Sequence, residues 1–208
     1  DLREIPPNEL KTKHIEIANG YGELYKDFVE VMLRVGPVYG SQTGEEMTKF
    51  MSNKDIKSVF DAINEKFPEK EFHLIEFEQA FKHYGYYFPN DTIPEIVGFY
   101  SNFNAKSLVY KNQLAVGLEM YLGADQDIIK RIPNSSLPQY FKDKTEADYL
   151  VADALKIFLN QKHGKNIGED FLSEIISLGK IMYLLDACMP QTEDWIKMNY
   201  FPKDIDWC

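Results

Sequence analysis

The sequence predicts an α+β fold, mainly helical, in which helices at both ends of the chain pack around a small antiparallel sheet at about residues 93–121. Two observations carry this. Apolar residues recur at helical spacing before residue 90 and after residue 145, and the pattern between them turns to β-branched and aromatic runs. A chain of 208 residues that is 44% hydrophobic and 27% charged can also bury one substantial core, so one domain over residues 1–208 is expected.

Ile17, Tyr21, Leu24, Phe28 and Met32 line one face of a first helix, Ile17 to Leu33, with Gly36-Pro37 as its stop. Thr43 and Glu46 have the spacing of a capping box ahead of a short helix, Glu45 to Met51. Ser52 then caps a helix that carries Ile56, Val59, Phe60 and Ile63 until Pro68 ends it. Phe72 to Tyr84 makes a fourth helix, stopped by Gly85. Ile93 to Phe103 and Leu108 to Tyr121 read as two strands, with Asn104-Ala-Lys106 as the turn of a hairpin.

Pro133 and Pro138 mark an irregular crossing before Thr145, the expected cap of a helix that buries Leu150, Val151, Ala154, Leu155, Phe158 and Leu159. The segment Phe171 to Ala187 reads as a core helix, since Ser173, Glu174, Ser177, Lys180 and Asp186 interrupt it too often for a membrane span. Trp195 to Cys208 is an aromatic tail with one short helix.

Charge excludes one class of partner. With 23 Lys and Arg against 33 Asp and Glu, the net charge is −10, and no basic stretch exists to follow a phosphate backbone, so no nucleic acid is expected. The lysine pairs Lys11/Lys13 and Lys162/Lys165 read as solvated surface. Cys188 and Cys208 are too few for a metal knuckle, and their spacing leaves a disulfide between them open. The chain starts at Asp1 without a signal peptide, which reads as a trimmed N-terminus and says nothing for the cytoplasm.

The search for chemistry yields no complete motif, so no metal and no cofactor are expected. His14, His73, His83 and His163 lie in separate segments without partners at zinc spacing. Gly20-Tyr21-Gly22 follows no strand and has no claim to a phosphate. Cys188 falls in an apolar helix, where a buried and inert thiol is expected. Asp125-Gln-Asp127 lacks the glycine and the bidentate glutamate of a calcium loop. Among carboxylates set in apolar runs, Glu119 and Asp153 are the weak catalytic candidates, with Asp125 and Asp186 behind them; solvent exposure or ion pairing is the competing account of all four.

Four strings carry a resemblance: Val97-Gly-Phe-Tyr-Ser-Asn-Phe-Asn104, Leu114-Ala-Val-Gly-Leu-Glu-Met-Tyr-Leu-Gly123, Gly179-Lys-Ile-Met-Tyr-Leu-Leu-Asp-Ala-Cys-Met-Pro190 and Asp206-Trp-Cys208. In their order and spacing the chain resembles the gliding-motility-associated lipoprotein B (GldB-like) family of the Bacteroidetes cell envelope. The resemblance implies a periplasm-facing envelope protein, attached to the membrane only through an N-terminal lipid anchor outside this chain, and a C-terminal portion beyond the Trp-Cys. More remotely, the layout is similar to zinc metallopeptidases of the thermolysin-like superfamily. That similarity implies a degenerate zincin-like fold. Val151-Ala-Asp-Ala-Leu155 stands where the His-Glu-x-x-His helix would carry ligands, Leu178-Gly179 stands at the third ligand, and core-type residues replace the ligands.

Three functional readings follow. The first is a non-catalytic envelope lipoprotein, a pseudo-peptidase scaffold that binds a peptide or protein partner along its β-edge. The second is a hydrolase using Glu119 and Asp153. The third is a surface carbohydrate- or peptide-binding lipoprotein whose contacts come from the 13 tyrosines and 14 phenylalanines.

Overall fold

Helices do occupy both ends of the chain and a small sheet lies between them, in a computed structural model that describes residues 5–68, 71–164, 168 and 170–207. Lys165, Cys208 and the latter's pairing with Cys188 lie outside the described residues, as does the end of the closing Asp206-Trp-Cys208 string.

The first helix starts earlier than its periodicity indicates. α1 runs Pro7–Tyr21, with proline at the position where a missing N–H costs nothing, and breaks at Gly22, whose φ of 57° suits glycine. α2 (Glu23–Asp27) follows and widens into a π turn at Phe28–Met32, where the Leu33 N–H reaches the Phe28 carbonyl. The Gly20-Tyr21-Gly22 string is thus a helix break.

Three expected caps move. Thr43 begins α3 (Thr43–Ser52), and its hydroxyl donates to the Pro37 carbonyl at 2.6 Å, so it is not available to cap the helix. The cap of α4 (Lys54–Lys66) is Asn53, whose side chain accepts from the N–H groups of Asp55 and Ile56, while Ser52 donates back to Thr48. The Thr145 hydroxyl donates to the Lys142 carbonyl, and a 3₁₀ turn at Ala147–Tyr149 leads into α8 (Leu150–His163). α5 (Glu71–Tyr87) runs through Gly85 without stopping. Between the sheet and α8 lie two short helices, α6 (Asp127–Arg131) and α7 (Gln139–Lys142).

The sheet departs most from expectation. It is mixed, with three strands in the order β1-β3-β2, and not an antiparallel pair. β1 (Glu95–Phe99) runs parallel to β3 (Gln113–Gly117), and β2 (Ser107–Tyr110) is antiparallel to β3. The hairpin turn falls at Lys111-Asn112, where Lys111 takes a φ of 44°. It does not fall at Asn104–Lys106, because that segment belongs to a loop that carries the chain across the sheet from β1 to the far edge. Glu119 consequently leaves the strand and sits in a 3₁₀ turn, Leu118–Tyr121.

α8 packs on β2 and β3 and also touches α5, α9 (Phe171–Cys188) and α10 (Asp194–Met198). The chain's last described helix is α11 (Pro202–Trp207), so the tail holds two short helices instead of one. The main apolar cluster gathers α4, α5, the sheet, α8 and the second half of α9. A smaller cluster (Leu10, Ala18, Tyr25, Val29, Val38, Met47) holds the N-terminal helices, and Phe28 and Val35 pack on both. α9 is capped by Asp170, which accepts from the Ser173 N–H at 2.9 Å. It is a core helix only in its second half: Ile181, Leu185 and Cys188 are buried, while Phe171, Leu172, Ile175, Ile176 and Leu178 face solvent.

Candidate functional site

The crossing loop between β1 and β2 is held at its two ends by the two carboxylates singled out in the sequence. Glu119 is fully buried. Its Oε1 accepts from the Ser101 N–H at 2.8 Å, from the Phe103 N–H at 3.1 Å and from the Ser101 hydroxyl. These bonds fix Asn102 and Phe103 with φ of 57° and 58°, a left-handed pair that a non-glycine chain adopts only under constraint. Ser101 Oγ in turn accepts from the Ala105 N–H, and Asn104 Nδ2 donates to the carbonyls of Ser101 and Asn102. Gly117 permits the close approach, since a Cβ there would lie 2.5 Å from the Ala105 carbonyl oxygen.

Burial pushes the Glu119 carboxyl up to about 7 against the opposing pull of its hydrogen-bond donors. Its second oxygen, Oε2, is buried with no protein partner.

At the other end of the loop, Lys106 Nζ donates to Asp153 at 2.7 Å and to the Lys144 carbonyl at 2.9 Å, and stands 5.1 Å from the centre of the Tyr121 ring. Asp153 also accepts from Asn199 Nδ2 at 2.9 and 3.0 Å and from the Tyr121 hydroxyl at 3.4 Å. Lys144 Nζ donates to the Asn199 carbonyl at 2.6 Å and lies 4.1 Å from the Phe201 ring centre, with Tyr149 and Tyr200 at 5.8 and 5.7 Å. Desolvation lowers the Lys144 pKa despite nearby carboxylates. Asp153 therefore ties together the crossing loop, the start of α8 and the segment after α10.

Glu119 and Asp153 share no hydrogen bond; the Ser101–Lys106 loop and Tyr121 stand between their contacts. The other candidates scatter. Asp125 is exposed beside Lys130, and Asp186 pairs with the buried Lys197, which also meets Asp194 at 2.9 Å. His14 is buried, and desolvation lowers its pKa. His83 is exposed, and His73 stands 5.3 Å from the Phe67 ring centre. His163 stacks on Phe88 at 4.3 Å, and its Nε2 is 3.0 Å from the Tyr84 hydroxyl, which donates to Asp91. Burial pushes the Cys188 thiol up to about 11. Among the described residues, no group of three His, Cys, Asp or Glu stands close enough to hold a metal ion.

Among the described residues, a groove that could receive a ligand lies elsewhere. A shallow groove of about 330 Å³ runs between α5 and the start of β1, walled by Leu74, Phe77, Phe81, Ile93, Pro94 and Ile96, with Glu78 and Lys82 at its rim. β1 is an edge strand, with β3 as its strand neighbour. Sequence periodicity missed this groove, because Leu74, Phe77 and Phe81 look like an ordinary helix face until β1 is placed beside them. Lys106, Lys144 and Asn199 were missed because nothing local marks a lysine whose acceptor is 38 or more residues away.

The fold and its polar centre define a helical α+β domain built on a braced loop, with an open apolar groove at one sheet edge. The family described as Gliding motility protein GldB matches residues 1–208, and the chain belongs to it. No significant match appears among curated proteins or among solved structures. Membership in this lipoprotein family points to the cell envelope, and among the described residues no helix is long and apolar enough to cross a membrane.

The likeness to zinc peptidases gains no support. The expectation that core-type residues took over the ligand positions fails at Leu178, which is 63% exposed, because that half of α9 projects beyond the core. Gly179 beside it has no neighbour within 4 Å of a built Cβ.

Proposed function

We propose that this domain serves gliding motility as a non-catalytic, periplasm-facing binding module that takes a peptide or protein segment along β1 and the adjoining groove. The groove carries the reading: Leu74 and Ile93 are left exposed and Ile96 half-buried over a floor of Phe77, Phe81 and Pro94, beside a strand edge whose backbone can extend the sheet by one more strand. An extended segment would gain main-chain hydrogen bonds from β1 and place alternate apolar side chains against Leu74, Ile93 and Ile96. The small ion pair between Lys82 and Glu78, 2.8 Å apart at the rim, suits a partner of low net charge.

The non-catalytic part of the reading rests on how Glu119 and Asp153 are used. Each spends its hydrogen bonds on internal bracing, and neither lines the groove. No part of this reading needs a peptidase ancestry.

The test is Leu74→Glu together with Ile96→Glu. Cells carrying either variant, at normal protein abundance, are expected to lose gliding, and purified chain should lose affinity for partner peptides by about 10-fold or more. Unimpaired gliding in both variants sinks the groove reading. Gliding lost instead in a folded Glu119→Gln or Asp153→Asn variant, with peptide binding intact, would shift the balance to a hydrolase.

A further inference from the structure

α9 carries its apolar residues on the wrong side. At about 100° per residue, Phe171, Leu172, Ile175, Ile176, Leu178 and Tyr183 fall on one face roughly 160° wide. Ile181 and Cys188, which anchor the helix to the core together with Leu185, lie on the other side of the helix, and Leu185 lies at the boundary beside Leu178. Phe171 is 77% exposed, Leu172 65% and Tyr183 74%. The six side chains offer on the order of 700 Å² per copy, more than the few hundred Å² of contiguous apolar surface that a monomer ordinarily leaves in water.

We propose that this face is a self-association surface, where a second copy of the chain lays its own α9 antiparallel against the first across a two-fold axis. Three observations select this occupant. Two such faces expose roughly 1,400 Å² between them, so covering most of it reaches the lower end of the range of about 1,200–2,000 Å² that stable interfaces need. The face is also self-complementary. An antiparallel pair centred level with residue 177 sets Ile175 of each copy beside Gly179 of the other, and Gly179 has open space above it into which a large side chain can fit. Finally, charge argues against a lipid surface. Glu174 and Lys180 flank the face, Asp186 falls on its line at the C-terminal end, and the chain carries −10, whereas helices that rest on membranes are rimmed by Lys and Arg.

The surface lies on α9 and shares no residue with the β1 groove. The proposal does not depend on the binding reading above.

Sedimentation velocity of the full chain in reducing buffer, over a micromolar concentration series, tests it. The wild type is expected to sediment at twice the chain mass. Ile175→Glu and Leu172→Glu, both at exposed positions, are expected to sediment as folded monomers with unchanged far-ultraviolet circular dichroism. Gly179→Leu decides between partners, because it adds apolar surface while filling the gap. It should weaken the dimer by about 10-fold or more, whereas a lipid-facing helix would bind vesicles more tightly. A wild-type monomer throughout the series overturns the proposal, as does a dimer untouched by both Glu variants or tightened by Gly179→Leu. Monomeric wild type that floats with phosphatidylcholine vesicles would assign the face to lipid.

Discussion

α8 and α9 are neighbours in the chain, touch each other in the fold, and are both rich in Leu, Ile and Phe, yet they have opposite fates. α8 is buried over most of its length, from Leu150 to Leu159, including its acidic residue Asp153. α9 has the greater share of large apolar residues and buries only Ile181, Leu185 and Cys188 well. The difference is one of neighbours. α8 is roofed by β2 and β3 and flanked by α5, α9 and α10, so nearly every face meets protein. The first half of α9 reaches past these elements. Apolar content sets how much a helix gains from cover, and the arrangement of other elements sets whether cover is there.

The contrast breaks most easily at a leucine. Leu155→Ala in α8 should cost about 4 kcal/mol, through lost transfer energy and the cavity left in a packed site, while Leu172→Ala in α9 should change monomer stability by less than about 0.5 kcal/mol. Urea unfolding of both variants, with Leu172→Ala measured at monomer concentrations, checks the pair. Equal losses would mean that α9 is covered within the monomer.

The polar half of the contrast is Asp153, the carboxylate that α8 buries. Asp153→Ala strands the Lys106 ammonium, only 16% exposed, and the Asn199 amide. The expected loss is about 3 kcal/mol, since breaking a buried pair leaves a charge uncompensated. Faster proteolysis beyond residue 198 should accompany it, because Asp153 holds Asn199. A loss no larger than that of an exposed ion pair would show that the bracing is incidental.

Glu119, in the turn that follows β3, gives the most specific effect. Its folded pKa, about 7, lies above its ordinary value of 4.5, so the folded state holds the proton more tightly than the unfolded chain does. Its contribution to stability is fully present below about pH 4.5 and is lost as the pH rises towards 7, where the charged form must remain buried. The loss is on the order of 3 kcal/mol. Glu119→Gln keeps an acceptor for Ser101 and Phe103 but cannot ionise, so its denaturation midpoint should lack this slope. A wild-type midpoint that rises over the same pH range would contradict the assignment.

Some of this was legible in the residues. The span of α4 from its apolar spacing and Pro68, and the buried face of α8 from Leu150 to Leu159, follow from local rules. The caps were less legible, because Asn53 and Ser52 are equally good on paper and Thr43 and Thr145 turned their hydroxyls to nearby carbonyls. At the candidate site, the sequence picked out Glu119 and Asp153 as carboxylates in apolar surroundings and could not see what each holds. Their partners Ser101, Lys106 and Asn199 lie 18 to 47 residues away.

The sequence by itself determined the helical ends, the short β segment between them and the family, because periodicity, turn residues and ordered strings are local properties of the chain. Only the tertiary structure decided that β1 pairs in parallel with β3, that two carboxylates brace one crossing loop, that a groove opens beside an edge strand, and that half of the most apolar helix stays in water. Each of these depends on which distant segments come into contact, and that is settled by the joint packing of all the elements around one core.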